Sequence, residues 1–222
     1  MERIAITDTQ FRELKEFVDS SKMRKKSKND MKLLSTILFF TGGRISEALA
    51  LSVDDLKAGL KKGVLKIPQH KKRGSKKVYR DIPLLGKAKS ELKELLKVRI
   101  EISGETGYLF HPQGRPQSSP SIDGFTNRFN EFLLIAIKTE ESEKITSHSF
   151  RYRASSKLFI AGVSETNVSK FLGHHLNSIA VNHYFRLSKG DILAINKKMS
   201  RIISSKDKAI TSKDIDRMLF AS

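Results

Sequence analysis

One stretch of this chain breaks step with the rest. Along most of its length apolar residues recur at helical spacing. Between residues 64 and 82, however, Leu65 and Ile67 alternate with Val64, Lys66 and Pro68, and Lys77-Val78-Tyr79-Arg80-Asp81-Ile82 reads as a second strand. A basic turn centred on Gly74-Ser75 joins the two. Side chains that alternate cannot hold one face of a helix, so the segment predicts a single β-hairpin in a helical chain.

Helices are expected on either side of it. Residues 7–20 form the first, capped by Thr7 or Asp8, with Phe11, Leu14, Phe17 and Val18 on one face. A basic loop (Arg24, Lys25, Lys26, Lys28) leads to an apolar helix from Asp30 to Phe40, which breaks at Thr41-Gly42-Gly43. A short helix over about Ser46 to Leu51 then runs into the polar Ser52-Val53-Asp54-Asp55. Further helical patterns occupy about 86–102, 121–137, 147–160, 164–172, 178–186 and 191–203. The fold class is therefore α+β, mainly helical with a small antiparallel sheet. With 222 residues the chain suits one domain, about 1–203, with a C-terminal tail, 204–222. Thr211 or Ser212 can cap a short helix in that tail carrying Ile215, Met218, Leu219 and Phe220, which needs a surface to cover it.

Charge narrows the partner. Lys and Arg number 42 against 24 Asp and Glu, a formal +18. Such an excess favours a polyanion, and nucleic acid first. An anionic membrane surface fits less well, because no basic amphipathic helix with a Trp or Phe face stands out. No apolar run reaches the roughly 18 residues of a membrane span, and no signal peptide opens the chain. There are no cysteines, which excludes disulfides and thiolate metal sites. A soluble, cytoplasmic protein is expected.

Several polar residues then stand out, each with an ordinary explanation of its own. His148 and Arg151 lie three apart at a helix start, so they share a face. Thr146 or Ser147 can cap that helix, whose first amides favour a phosphate, and a guanidinium fork matches two phosphate oxygens. A surface pair would look the same. Arg44 follows two glycines, which would let a DNA backbone come close, but it could simply pair with Glu47. His174 follows Gly173, a helix stop, and could be a capping or core histidine. Tyr184, ten residues after His174, could be a packing tyrosine.

In order, these elements closely resemble the tyrosine recombinase family, which includes lambda-type integrases, Cre-like recombinases and Xer-like resolvases. The family carries an Arg in T-G-x-R-x-S-E, a Lys in a β-hairpin, H-x-x-R, L-G-H and a Tyr. This chain has Thr41-Gly42-Gly43-Arg44-Ile45-Ser46-Glu47, a basic hairpin ending Arg80-Asp81-Ile82-Pro83-Leu84, His148-Ser149-Phe150-Arg151, Leu172-Gly173-His174 and Tyr184. The resemblance spans about Thr7 to Tyr184.

The resemblance implies a catalytic domain with Tyr184 as covalent nucleophile, assisted by Arg44, Lys71, His148, Arg151 and His174. Lys72, Arg73, Lys76, Lys77 and Arg80 would then contact DNA phosphates. It also implies double-stranded DNA as partner, a 3′-phosphotyrosine intermediate, neither metal nor ATP, and a tetramer that passes through a Holliday junction. For the tail it implies a segment exchanged between protomers, the alternative being a helix that folds back on its own domain. The chemistry is coherent. Two arginines and a histidine donor stabilise charge on non-bridging oxygens without a metal. A tyrosine hydroxyl needs its proton taken or shared, and the leaving 5′-hydroxyl needs a proton that a hairpin lysine supplies. No acidic cluster spaced for two metals and no phosphate-binding Gly-x-x-x-x-Gly-Lys-Ser/Thr loop is present.

The match departs from the family in four places. Gly43 stands where many relatives have an apolar residue. The hairpin offers Lys71, Lys72, Lys76 and Lys77, with Lys71 favoured by the frame Ile67-Pro68-Gln69-His70-Lys71. The ten-residue spacing from His174 to Tyr184 is one longer than usual, and His175 would restore it, although the Leu-Gly-His frame favours His174. The catalytic pattern begins almost at Met1, where relatives carry an N-terminal core-binding domain. Two other functions share these features: a type IB topoisomerase or telomere resolvase, and a non-catalytic DNA-binding protein on the same scaffold.

Overall fold

Thr7 opens the first long helix with a capping box. Its Oγ1 accepts from the Gln10 amide at 3.1 Å, and Gln10 Oε1 accepts from the Thr7 amide at 2.9 Å. This computed structural model describes residues 2–69, 78–84, 86–140 and 143–173. In chain order the elements are β1 (Glu2–Arg3), α1 (Asp8–Ser20), α2 (Lys25–Thr41), α3 (Ile45–Leu49), α4 (Val53–Lys62), β2 (Val64–Gln69), β3 (Val78–Pro83), α5 (Gly86–Ser103), α6 (Ile122–Ala136), β4 (Glu143–Lys144), α7 (Ser147–Ile160) and α8 (Glu165–Leu172). The expected helices at 178–186 and 191–203 and the tail 204–222 lie outside the described residues.

Helix α2 is the hub. It packs on α1, α3, α5 and α7. Leu33, Leu34, Ile37 and Leu38 are all fully buried, and so are Ser35, Thr36 and Thr41 around the other side. A helix enclosed on every face belongs in a core, and each such large apolar side chain contributes about 1.5–3 kcal/mol by its burial. Phe39 stacks on Phe11 of α1 with ring centroids 3.8 Å apart. Two of the buried hydroxyls of α2 are satisfied within the helix: Thr41 Oγ1 donates to Ile37 O at 2.6 Å and Ser35 Oγ to Met31 O at 2.7 Å.

The hairpin forms as its alternation predicts. β2 and β3 are antiparallel, with Val64 opposite Pro83 and Gln69 opposite Val78. Leu65, Ile67 and Ile82 face the core.

Three features differ from the expectation. The basic residues Lys25, Lys26 and Lys28 are the first turns of α2 rather than a loop, because Lys26 Nζ reaches Asp30 Oδ2 at 2.5 Å one turn on. The polar Ser52-Val53-Asp54-Asp55 starts a helix, α4, through a second capping box, Ser52 Oγ accepting from the Asp55 amide at 3.0 Å. The third is a parallel pair: Glu2 and Arg3 of β1 lie beside Glu143 and Lys144 of β4. Two-residue strands carry no periodicity, so the sequence holds no sign of them.

Candidate active site

Three segments far apart in sequence meet around one guanidinium. Arg151 projects from α7, is 1% exposed, and donates from Nη1 to Gly42 O at 2.9 Å and from Nη2 to Leu172 O. Gly42 ends α2 and Leu172 ends α8. The last carbonyls of a helix have no partner inside it. Arg151 therefore joins two helix ends and the turn that leads into Arg44.

Gly42 makes this approach possible. It closes α2 in the left-handed conformation, φ 58°, and a Cβ there would lie 2.6 Å from the Ala154 Cβ of α7. Its missing side chain admits a helix, not a ligand. Gly42 and Gly43 are both buried, contrary to the expectation that they open the turn to a DNA backbone.

Arg44 stands at the N-cap of α3, gripped by Glu47. Its Nη1 donates to Oε1 at 2.8 Å and its backbone amide to Oε2 at 2.9 Å. Glu47 is fully buried, and Oε2 also accepts from Arg80 Nη2 at 2.7 Å. Burial alone would raise the Glu47 carboxyl. The Arg80 charge, the Arg44 amide and the Arg44 charge more than offset it and hold the group below its ordinary value. The ion pair expected between Arg44 and Glu47 is therefore real, and it positions Arg44 rather than excluding it from function: the Arg44 side chain keeps 22% exposure.

Arg80 differs from the expectation that it faces DNA. It is buried, and its other terminal nitrogen, Nη1, donates to Phe171 O at 2.7 Å. Its charge is committed to Glu47 and to the end of α8. The strand alternation puts Arg80 on the same face as the core residue Ile82, which explains the burial.

His148 lies in the first turn of α7 and is exposed. Thr146 caps this helix, its amide donating to Ser149 Oγ at 3.0 Å, and Ser147 N donates to Asn130 Oδ1 of α6 at 2.9 Å. Partial desolvation and then the charges of Arg3, Arg151 and Arg44 lower the His148 pKa from its ordinary 6.5, so the ring is mainly neutral at pH 7. The structure thus brings Arg44, His148 and Arg151 into one electrostatic neighbourhood, together with Arg3, which nothing in the sequence singles out.

Lys71, Lys72, Arg73, Lys76, Lys77, His174, His175 and Tyr184 lie outside the described residues. Their flanks do meet. Gly173, at φ 68° after α8, sits so close to Gln69 that a Cβ would lie 3.1 Å from its Nε2.

Known proteins share this fold. Residues 5–191 match the profile of the phage integrase family. Over 145 residues the chain is 28% identical to tyrosine recombinase XerC of Thermodesulfovibrio yellowstonii, covering 62% of this chain and 44% of the relative. Among solved structures, XerA recombinase superposes with a TM-score of 0.64 at 18% identity over 93% of this chain and 65% of its own. XerH recombinase bound to its difH substrate gives 0.59 at 23% identity, over 91% and 54%. A lambda integrase tetramer bound to a Holliday junction gives 0.55 at 20% identity, over 83% and 48%. The chain thus spans less than half the length of its XerC relative and about two-thirds of XerA. By the extent of the profile match, with the α+β fold found again in these structures, the chain belongs to the phage integrase family, the tyrosine recombinases.

Proposed function

We propose that this chain cuts and rejoins DNA at specific sites through a covalent bond to Tyr184. The Tyr184 hydroxyl oxygen attacks the scissile phosphorus, the bond to the 5′-oxygen breaks, and a 3′-phosphotyrosine forms. The tyrosine proton passes to a nearby acceptor or water, and Lys71 protonates the departing 5′-oxygen. Rejoining is the reverse: a 5′-hydroxyl attacks the phosphotyrosine and Tyr184 leaves. Each step exchanges one phosphodiester for another, so no ATP is needed, and the arginine and histidine donors take the charge-stabilising part that a metal would otherwise play.

The observation that carries this reading is the convergence of Arg44 and Arg151. Arg151 bonds the carbonyl of Gly42, two residues before Arg44, and His148 precedes Arg151 by one turn. Arg44, whose side chain stays partly exposed, can hold a phosphate as it gains charge, with the charge of buried Arg151 close by and His148 and His174 as further donors. Lys72, Arg73, Lys76 and Lys77 would grip neighbouring phosphates, and the +18 charge supports a DNA partner. Assembly as a tetramer on two sites, through a Holliday junction, is proposed by analogy with the lambda integrase tetramer on such a junction. XerH bound to its substrate after cleavage supports the DNA-cutting role.

Trapping on a nicked duplex that carries the recombination site, once selected from random sequence by binding, tests the mechanism. The wild-type chain should form a covalent protein–DNA adduct that resists denaturation, and Tyr184→Phe should bind the duplex but form none. An adduct that persisted in Tyr184→Phe would overturn the assignment. Relaxation of any supercoiled plasmid, without such a site, would favour topoisomerase action instead.

A further inference from the structure

On the reading that the site acts on a DNA phosphate, we infer that Arg3 and Lys144 form a second phosphate-binding site, gripping the DNA backbone beside the phosphate held at Arg44 and Arg151. The two residues belong to different ends of the described chain and are brought together by the β1–β4 pairing, where Arg3 lies directly opposite Lys144. Partners in adjacent strands project from the same face of a sheet. Two cations therefore stand side by side.

They stand there on a fixed mount. Ile4 N donates to Lys144 O and Ile6 N to Ser149 O, each at 3.3 Å, and Ala5 and Ile6 are buried. The second of these bonds ties the segment that follows β1 to the residue next to His148. Lys144 itself precedes the α7 cap, Thr146, by two positions. The ribbon is thus an extension of the first turn of α7, not a separate surface.

Among the described residues the two cations also have no ion-pair partner. Arg3 is exposed and Lys144 half-buried. The surface cations of the neighbouring α1–α7 seam behave differently: Arg153 and Lys157 both pair with Asp8. Arg3 lies near enough to His148 to act on it more strongly than Arg44 or Arg151 does. Two like charges held side by side repel one another, and a polyanion seated on them relieves that repulsion. A DNA strand carries one negative charge every ~3.4 Å along the axis, so a backbone seated on Arg44 and Arg151 presents its next phosphates to a ribbon beside them.

Salt-dependent binding of the full chain to a short blunt duplex of mixed sequence tests this. Removing one phosphate-binding cation should flatten the plot of log affinity against log salt by about 0.9 between ~50 and ~200 mM salt. The Arg3→Gln/Lys144→Gln double variant should be flatter than wild type by about 1.8 on the same basis. Arg3→Lys/Lys144→Arg keeps both charges and should retain the wild-type slope, which separates the removal of charge from a disturbed fold. Lys97→Gln, on α5, which packs on α2 and α4, should also retain it. A double variant with the wild-type slope overturns the inference, and so does a charge-retaining variant as flat as the glutamine one or an equal flattening by Lys97→Gln. A wild-type chain whose duplex binding shows no salt dependence overturns the DNA reading itself.

Discussion

Glu47 holds Arg44 at both ends, its two carboxylate oxygens accepting from the Arg44 guanidinium at 2.8 Å and from the Arg44 backbone amide at 2.9 Å. A side chain held only through its tip would still swing on its backbone. Held through tip and root, Arg44 has less side-chain freedom left to lose on meeting a ligand. Arg80 keeps Glu47 ionised in turn, so buried Glu47 and Arg80 support a partly exposed Arg44.

Glu47→Gln leaves two buried or half-buried arginines without their counter-charge. Breaking a buried pair from one side costs about 3–5 kcal/mol. The variant should melt well below wild type in a thermal scan, and adduct formation per folded molecule should fall sharply. Unchanged melting and adduct yield would show that Glu47 supports neither the fold nor Arg44.

The same carboxylate predicts an acid dependence. Its folded pKa is depressed below the ordinary 4.5, so it contributes stability that is present above that value and is lost as pH falls through the lower folded value. The stability gap between wild type and Glu47→Gln should therefore be widest above pH 4.5 and narrow below it. Asp30, which burial shifts upward, acts in the opposite sense, but it is common to both proteins and cancels in the difference. Denaturant melts across the acid range check this; a gap constant with pH would contradict it.

Gly42→Ala adds a methyl group where a Cβ would meet the Ala154 Cβ at 2.6 Å, on a backbone at φ 58°. Strain of this kind costs on the order of 1–3 kcal/mol. Because the Gly42 carbonyl is also the seat of Arg151, cleavage should fall more than stability alone explains. The comparison is adduct yield against fraction folded, measured at one temperature.

Arg44→Lys and Arg151→Lys keep the charge and lose the planar fork. Both should bind duplex DNA almost as wild type does and cleave it poorly. Arg151→Lys should in addition lower the melting temperature, since one ammonium cannot bridge the carbonyls of Gly42 and Leu172 as the guanidinium does. Arg44→Lys, at a half-exposed position, should do so less. Near wild-type cleavage by both variants would reduce these arginines to structural parts.

A substrate with a 5′-thio leaving group needs no proton donor. It should rescue cleavage by Lys71→Ala and not by Arg151→Ala, since only the first lacks an acid. Rescue of Lys72→Ala in place of Lys71→Ala would move the role along the hairpin by one residue.

The sequence by itself determined most of the element order. Alternation located the hairpin, and apolar spacing located α1, α5, α6, α7 and α8 to within a residue or two, because local periodicity reports which face is buried. Residue order also singled out Arg44, His148 and Arg151, which the fold brings together. Tertiary structure decided what each cation is for. Arg80 and Arg3 are both basic residues of short strands, although only the strand of Arg80 shows in the sequence. One is buried against Glu47 and the end of α8; the other lies exposed beside His148. Their difference depends on partners 33 and 91 residues from Arg80 and on a strand that begins 140 residues after Arg3. A charge takes its role from its surroundings, and only the folded chain supplies surroundings at that separation.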